Sequence, residues 1–379
     1  MKNPHILDLY SDYLISSFKL TAATEMSKVL GGALSHDQIT RFLGQELLTQ
    51  KEYWKCIKKV IRQIESSEGV IKIDDTILEK PHSTENEIIC WHHDHSKKGR
   101  DKMTKGINIL NFLYQSFLAE TDYLSIPVAY EVIRKTEEWY DKKSKKVKLR
   151  SPITKNKMVR QPLLNLQRDN KVKFKYILWD TWFSSAENFN FVHYDLKKQF
   201  IAALKSNRLV TLSEEDRRQD KFQRVDELNI QAFEAIPVWL KGMDFSIKLT
   251  KQIFIKKDGS RGELYIVTND LSLNGPLICT NYQDRWGVEV FHKSLKQNVG
   301  LEKSPTKVEN SQCNHIFATM IAQTKLEMLS KRQQTNHFDL KAQLYAKAIK
   351  TAFGILQQLK RVQLKLEPDS FSTQSLLNR

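Results

Sequence analysis

Tyr282-Gln283-Asp284-Arg285-Trp286-Gly287-Val288-Glu289-Val290-Phe291-His292-Lys293-Ser294-Leu295-Lys296 is the stretch on which the reading of this chain turns. Wound as a helix at about 100° per residue, it brings Tyr282, Arg285, Glu289 and Lys296 within an arc of roughly 60°, with Lys293 at its edge. Val288, Phe291 and Leu295 fall on the other side, where they can face a core. One helix would then present an acid, an aromatic ring and several cations on a single outward stripe. Alone, that stripe describes a solvated helix laced with ion pairs equally well. Its meaning depends on what the rest of the chain sets beside it.

Two strand-like runs elsewhere end in acid. Val70-Ile71-Lys72-Ile73-Asp74-Asp75 is one, and Lys173-Phe174-Lys175-Tyr176-Ile177-Leu178-Trp179-Asp180 is the other. Taken singly, each aspartate reads as a turn or cap residue. Together with Glu289 they match a demand of metal-assisted phosphodiester cleavage, which needs carboxylates converging from different elements. Unpaired, such carboxylates repel and raise one another's pKa; a divalent cation relieves the repulsion, activates water and stabilises the leaving oxygen. Alternation along a strand puts Asp74 and Asp75 on opposite faces without choosing between them.

Composition points the same way. The chain has 379 residues, 60 Lys and Arg against 44 Asp and Glu, and a formal net charge of +16. That excess favours a polyanionic partner. No apolar run reaches the roughly 20 residues that span a bilayer, and the first residues do not resemble a signal-peptide core, so nucleic acid is preferred over a membrane. The four cysteines, Cys56, Cys90, Cys279 and Cys313, form no CxxC pair and read as free thiols of a reducing cytoplasm.

Around these motifs the chain changes texture. Residues 1–67 read as four helices, the second ending at Gly31-Gly32 and the third capped by Ser35, with Arg41 on its outer side. Further strands are expected over Ile107–Tyr114 and Tyr123–Val132, followed by a basic stretch from Lys142 onward. Residues 200–261 are choppier, with Lys257-Asp258-Gly259 as a hairpin turn before a strand over Gly262–Thr268. Helices are expected over Thr280–Asn298, His315–Lys331 and Phe338–Val362, and a polar tail from Glu367. Two weaker signals read as structure: His92-His93-Asp94-His95 as a polar loop, and Trp239 as a core residue beside Val238 and Leu240.

The skeleton Y-x2-R-x3-E-x6-K at Tyr282, Arg285, Glu289 and Lys296 resembles the signature of DDE transposases of the insertion-sequence-four type, a bacterial cut-and-paste group. In that family the first acid often stands in an acid-Asp-Thr context, as in Asp74-Asp75-Thr76, which makes Asp75 the expected ligand. The second acid precedes an aromatic, often as D-x-G/A-F; Asp180-Thr181-Trp182-Phe183 departs from this with Trp182 where a small residue is usual. The resemblance implies an α/β fold, an RNase H-like core with a mixed five-stranded sheet, interrupted by a β-rich insert. It divides the chain into a helical DNA-binding region (1–67), the core in two parts (68–199 and 262–335), the insert (200–261) and a C-terminal helical region that could oligomerise (336–379). It further implies catalysis by Asp75, Asp180 and Glu289 holding two Mg2+ (or Mn2+) ions. DNA contacts would come from Tyr282, Arg285, Lys293, Lys296 and Arg41. The expected partners are double-stranded DNA, as transposon ends and target, and a second copy of the chain on that DNA. The expected location is the bacterial cytoplasm, on the nucleoid when bound. Two alternatives stay open: an RNase H-like nuclease that cuts without integrating, and an inactive transposase-derived DNA-binding protein.

Overall fold

The computed structural model describes residues 3–94, 97, 102–119, 122–142, 145–256 and 259–363. His95, Lys143, the Lys257-Asp258 part of the expected turn and the tail from Glu367 lie outside them. The chain opens with four helices: α1 Pro4–Ser16, α2 Ala23–Val29, α3 His36–Gly44 and α4 Gln50–Ile64. Gly31 and Gly32 end α2 with φ of 59° and 82°, a conformation that costs glycine little. Ser35 and Gln38 make a reciprocal capping box at α3, and Thr49 and Glu52 another at α4.

The strands that follow are β1 Val70–Glu79, β2 Cys90–His93, β3 Met103–Ala119 and β4 Asp122–Val132, then an exposed two-stranded ribbon, β5 Glu137–Asp141 with β6 Lys146–Arg150. Two short helices, α5 Lys155–Met158 and α6 Arg160–Leu164, lead to β7 Tyr176–Trp179. Next come α7 Ala186–Asn190, β8 Gln199–Leu204, β9 Leu209–Thr211, α8 Glu214–Arg218, β10 Gln223–Arg224, β11 Ala235–Leu240, β12 Ile247–Ile255 and β13 Arg261–Thr268. Helices α9 Gly275–Gln283, α10 Gly287–Gln297, α11 Glu309–Arg332 and α12 His337–Gln363 complete the order. The fold is mixed α/β, with one large mixed sheet and helical regions at both ends. Among the described residues no helix is long and apolar enough to cross a membrane.

The sheet has 11 strands, in the order β10-β9-β11-β12-β13-β8-β7-β1-β3-β2, with β4 also on β3. At its centre β1, β7 and β8 run parallel, while β3 is antiparallel to β1 and β4 to β3. This differs from the expected layout in one respect. The segment from Phe200, read with the insert, begins with β8 alongside β7, and the strand expected fifth, β13, lies beyond it, antiparallel to β8. The reason is visible in β8 itself: Phe200 to Leu204 are all buried, so a strand covered on both faces carries no alternation to read.

The sheet's two faces separate cleanly at its centre. Val70, Tyr176, Leu178, Ile201 and Ala203 join Ile278, Cys279 and Tyr282 of α9 in one cluster. Ile71, Ile73, Ile177, Trp179, Phe200 and Ala202 belong to the main core. The N-terminal helices are fastened to α11. Tyr10 bonds His315 (2.9 Å), Asn314 accepts from the Leu48 amide (3.0 Å) and donates to the Leu43 carbonyl (2.9 Å), and Tyr53 meets Phe317 edge to face. Each such aromatic side chain, withdrawn from water, contributes roughly 2–3 kcal/mol.

Candidate active site

The strands that carry the first two acids lie side by side: β7 stops just before Asp180 as expected, but β1 runs on through Asp74 and Asp75 to Glu79, because β3 pairs with it along its whole length. The parallel register pairs Val70 with Tyr176, Ile71 with Ile177 and Lys72 with Leu178. Continued two residues, it sets Asp74 beside Asp180. Neighbours in a sheet share a face, and side chains alternate along a strand. Asp74 therefore follows Val70 and Lys72 onto the face that α9 and α10 cover, and Asp180 follows Tyr176 and Leu178 onto the same one.

Helix α10 completes the group. Arg285 pairs with Asp74 at 3.3 Å and with Glu289 at 3.7 Å. Ligand atoms of Asp74, Glu289 and His292 all lie within 4.8 Å of one another. His292, three residues on from Glu289 and so on nearly the same side of the helix, accepts a hydrogen bond at Nε2 from Asn111 of β3 (3.1 Å). Lys72 reaches under the helix start to Gln115, and a Cβ on Gly287 would sit 2.7 Å from its Nζ, so glycine lets α10 approach β1 closely. Asp74, Asp180, Arg285, Glu289 and His292 line an open cleft of about 820 Å3 together with Asp75, Lys293 and Lys296.

Asp75 faces a different set of groups. Its carboxylate accepts from Asn108 (2.7 Å) and from Lys155 of α5 (2.7 Å). The acid read as the ligand is thus paired with a lysine, while Asp74 pairs with Arg285; both line the cleft with Asp180 and Glu289, and the charge of Asp75 also helps to raise Asp180.

The stripe also changes on folding. Instead of one helix over Thr280–Asn298, a 3-10 turn at Asp284–Trp286 separates α9 from α10. Tyr282 falls before this break and is buried in the cluster with Val70 and Tyr176, not on an outward face. Arg285 lies near its ring (5.9 Å) and near that of Trp286 (5.6 Å). Lys296 bonds the Ile77 carbonyl (2.9 Å) and pairs with Glu302 (3.2 Å), and Lys293 lies 5.0 Å from the ring of Phe338. Arg41 is exposed on α3, bonded to the Asp37 carbonyl, away from the cleft residues. Trp239 is half-buried on β11. His92 is buried and His93 and Asp94 line the cleft, so the expected loop is instead β2 and the residue after it.

The acids of the cleft crowd one another. Burial, with Asp180 and Glu289 near, pushes Asp74 up to about 7 despite Arg285. Burial also raises Asp180, against the Trp182 backbone N–H that donates to it (2.9 Å) and against Arg285. Burial holds His292 down at about 3, so the imidazole is neutral, and with Nε2 accepting from Asn111 its other nitrogen carries the proton. Asn108 Oδ1 and Asn111 Oδ1 are buried without a partner among the described residues. Crowded carboxylates that resist ionising are a donor set suited to a hard divalent cation. Sequence reading missed His292, Lys155, Asn108 and Asn111. Of these only His292 had a usable signal, its spacing from Glu289.

Comparison with known proteins finds transposases. The profile of a family described as "Archaeal putative transposase ISC1217" matches residues 21–312, which include every acid of the cleft. A "Probable transposase for insertion sequence element IS5377" from Geobacillus stearothermophilus is 33% identical over 104 residues, covering 24% of this chain and 28% of that relative. The chain thus spans little more than a quarter of that protein's length.

Proposed function

Because the chain belongs to the transposase family whose profile covers most of its length, we propose that it is a metal-dependent DNA transposase, cutting at transposon ends and joining the freed 3′-OH to target DNA. One observation carries the proposal: Asp74 of β1, Asp180 just past the adjacent parallel β7 and Glu289 of α10 line one cleft. The order β4-β3-β1-β7-β8 supports reading the core as RNase H-like. We take residues 68–199 with β8, and 262–335, as that core, the chain from β9 to β12 as the insert, and 1–67 as the region that binds transposon ends, with Arg41 toward DNA. On α12, exposed Tyr345, Ile349, Leu356 and Leu359 recur at a coiled-coil spacing, which supports pairing with a second copy through 336–379.

Within the cleft we assign Asp74, Asp180 and Glu289 as the metal-holding acids, with His292 beside them, and Asp75 as the neighbour that holds Lys155. Two divalent cations bound there, Mg2+ or Mn2+, would supply an activated attacking oxygen and stabilise the leaving one. Arg285, relieved of its carboxylate partners, can grip a phosphate with two hydrogen bonds, and Lys293 and Lys296 add positive charge along the same backbone. Such contacts position DNA without reading its sequence. Tyr282, buried beneath Arg285, would orient that guanidinium.

The test is cleavage and joining of a donor DNA carrying the element's ends, with Mg2+ and with Mn2+. Asp74→Ala, Asp180→Ala and Glu289→Ala should each abolish cutting while end binding persists, and Asp75→Ala should retain some activity. Substantial cutting by any of the first three removes that residue from the set. If Asp75→Ala is dead and Asp74→Ala active, the first acid is Asp75. A product that is cut but never joined reduces the protein to a nuclease.

A further inference from the structure

The ribbon of β5 and β6 stands apart from the main sheet, and its strands pair only with each other. Two strands alone are at best marginally stable in water, so a ribbon held out from the body calls for a surface to lie against. Its charge is one-sided: residues 142–150 hold six cations, Lys142, Lys143, Lys145, Lys146, Lys148 and Arg150, and no acid. Lys148 and Arg150 are taken up across the ladder by Asp141 and Glu137. Lys142, Lys145 and Lys146, at the far end, are exposed and have no ion pair among the described residues. The register sets Tyr140 opposite Val147, and Leu149 lies two residues on, so these three share one face. That face is open, with Tyr140 55% and Val147 62% exposed. Both ends of the ribbon are rooted beside Asp75. On the way in, the Ile133 N–H donates to the Asn108 carbonyl (2.9 Å), and the Asn108 side chain donates to Asp75 (2.7 Å). On the way out, Lys155, five residues past Arg150, bonds the same carboxylate (2.7 Å).

We propose that the β5–β6 ribbon is an arm that lies in the major groove of double-stranded DNA next to the cleft, an inference that rests on the transposase reading for where that DNA runs. The major groove, about 12 Å wide, admits a two-stranded ribbon, and its floor of base edges and thymine methyls suits the open face of Tyr140, Val147 and Leu149. The walls of the groove are phosphates, and the three unpaired ammonium groups at the far end meet that charge without regard to sequence. Strands of five residues extend roughly 17 Å, or about five base pairs of duplex, so the arm grips DNA to one side of the cleft cations Arg285, Lys293 and Lys296. A second copy of the chain is the competing occupant of the apolar face. In a two-fold interface, however, the same run of six cations would face itself.

The experiment uses the full chain in EDTA, so that no cutting occurs. The probe is a duplex of arbitrary sequence about three helical turns long, titrated over a series of salt concentrations. Lys142→Gln, Lys145→Gln and Lys146→Gln combined should weaken binding by about ten- to five-hundredfold in about 0.1 M salt. The slope of log affinity against log salt should fall by about two to three ions. Arginine at the same three positions should keep both the affinity and the slope. Tyr140→Ser should weaken binding at every salt concentration and leave the slope unchanged. In sedimentation without DNA, every variant should match wild type. A glutamine variant with the wild-type slope overturns the proposal, as does a Tyr140→Ser protein that binds as tightly as wild type. So does altered sedimentation of either, which gives the face to a second copy. Wild type that ignores duplex DNA altogether defeats the transposase reading together with the arm. Wild type that binds duplex no better than the glutamine variant does defeats the arm alone. A chain that never cuts DNA but passes this test defeats the transposase reading and leaves the arm standing.

Discussion

Asp74→Asn should make the metal-free protein more stable at pH 8, although it removes an ion-paired residue. Asp74 is 15% exposed in its side chain and is pushed from 3.8 to about 7, chiefly by burial and then by Asp180 and Glu289. The folded chain thus holds this proton more tightly than the unfolded chain does. Below 3.8 both states are protonated and the group contributes nothing; as pH rises toward 7 the unfolded state ionises first, and stability falls. Above 7 the loss is complete. At about 1.4 kcal/mol per pKa unit it amounts to about 4 kcal/mol, an upper value because the neighbouring groups relax. Asparagine, neutral at every pH, escapes it. In EDTA, thermal melts should put Asp74→Asn several degrees above wild type at pH 8, with the gap falling to about a third at pH 5. Added Mg2+ should raise wild type and leave the variant nearly unmoved, because a cation and the substitution relieve the same repulsion. A variant no more stable than wild type at pH 8, or a gap that ignores pH, would refute the crowding of Asp74 with Asp180 and Glu289.

Other outcomes follow from the same contacts. Asp75→Asn breaks the contact with Lys155 and should lower stability by about 1–3 kcal/mol, the opposite direction from its neighbour, as read by melts at pH 8. Arg285→Ala and Lys296→Ala should keep the fold, slow cleavage and weaken the salt dependence of DNA binding; normal cutting in both removes their DNA-gripping role. Gly106→Ala places a Cβ 2.0 Å from the Leu78 carbonyl oxygen, where backbone must move, and should cost about 2 kcal/mol or more by urea titration. A fragment of residues 1–67 should keep helical circular dichroism but melt without cooperativity, since Tyr10, Phe42 and Tyr53 lose α11 as their partner.

Local signals in the sequence translated well. Gly31-Gly32 ended α2, Ser35 capped α3, and the apolar faces of α3 and α4 turned inward through Phe42, Tyr53 and Ile57. Asp74, Asp75, Asp180 and Glu289 stood out in the sequence because two strand-like runs and one helix each carry a carboxylate, and all four line one cleft. What stayed hidden depended on partners. Asp74 and Asp75 differ in theirs, Arg285 for the one and Lys155 with Asn108 for the other. Tyr282 looked outward on an unbroken helix, but the turn at Asp284–Trp286 rotates it into the core. The helices before Ser67 looked separable because an apolar face does not say what covers it. Here that is α11, which is buried along most of its length. The paired strand β12 ran through Thr250 and Lys251, where the alternation falters, because β11 and β13 hold it from both sides.

The ion pair between Asp74 and Arg285 joins residues 211 positions apart. A ribosome adding about 5–20 residues per second needs roughly 10–40 s to travel that distance. Throughout that interval the nascent chain carries Asp74, joined about halfway by Asp180, and neither Arg285 nor Glu289 exists. Any product that stops before α10, through a frameshift or a lost message, has at most two of the three acids and no means of closing the set. On the proposed reading, the order of the acids along the gene makes the last one a checkpoint: the set is complete only when just over three-quarters of the chain has been made.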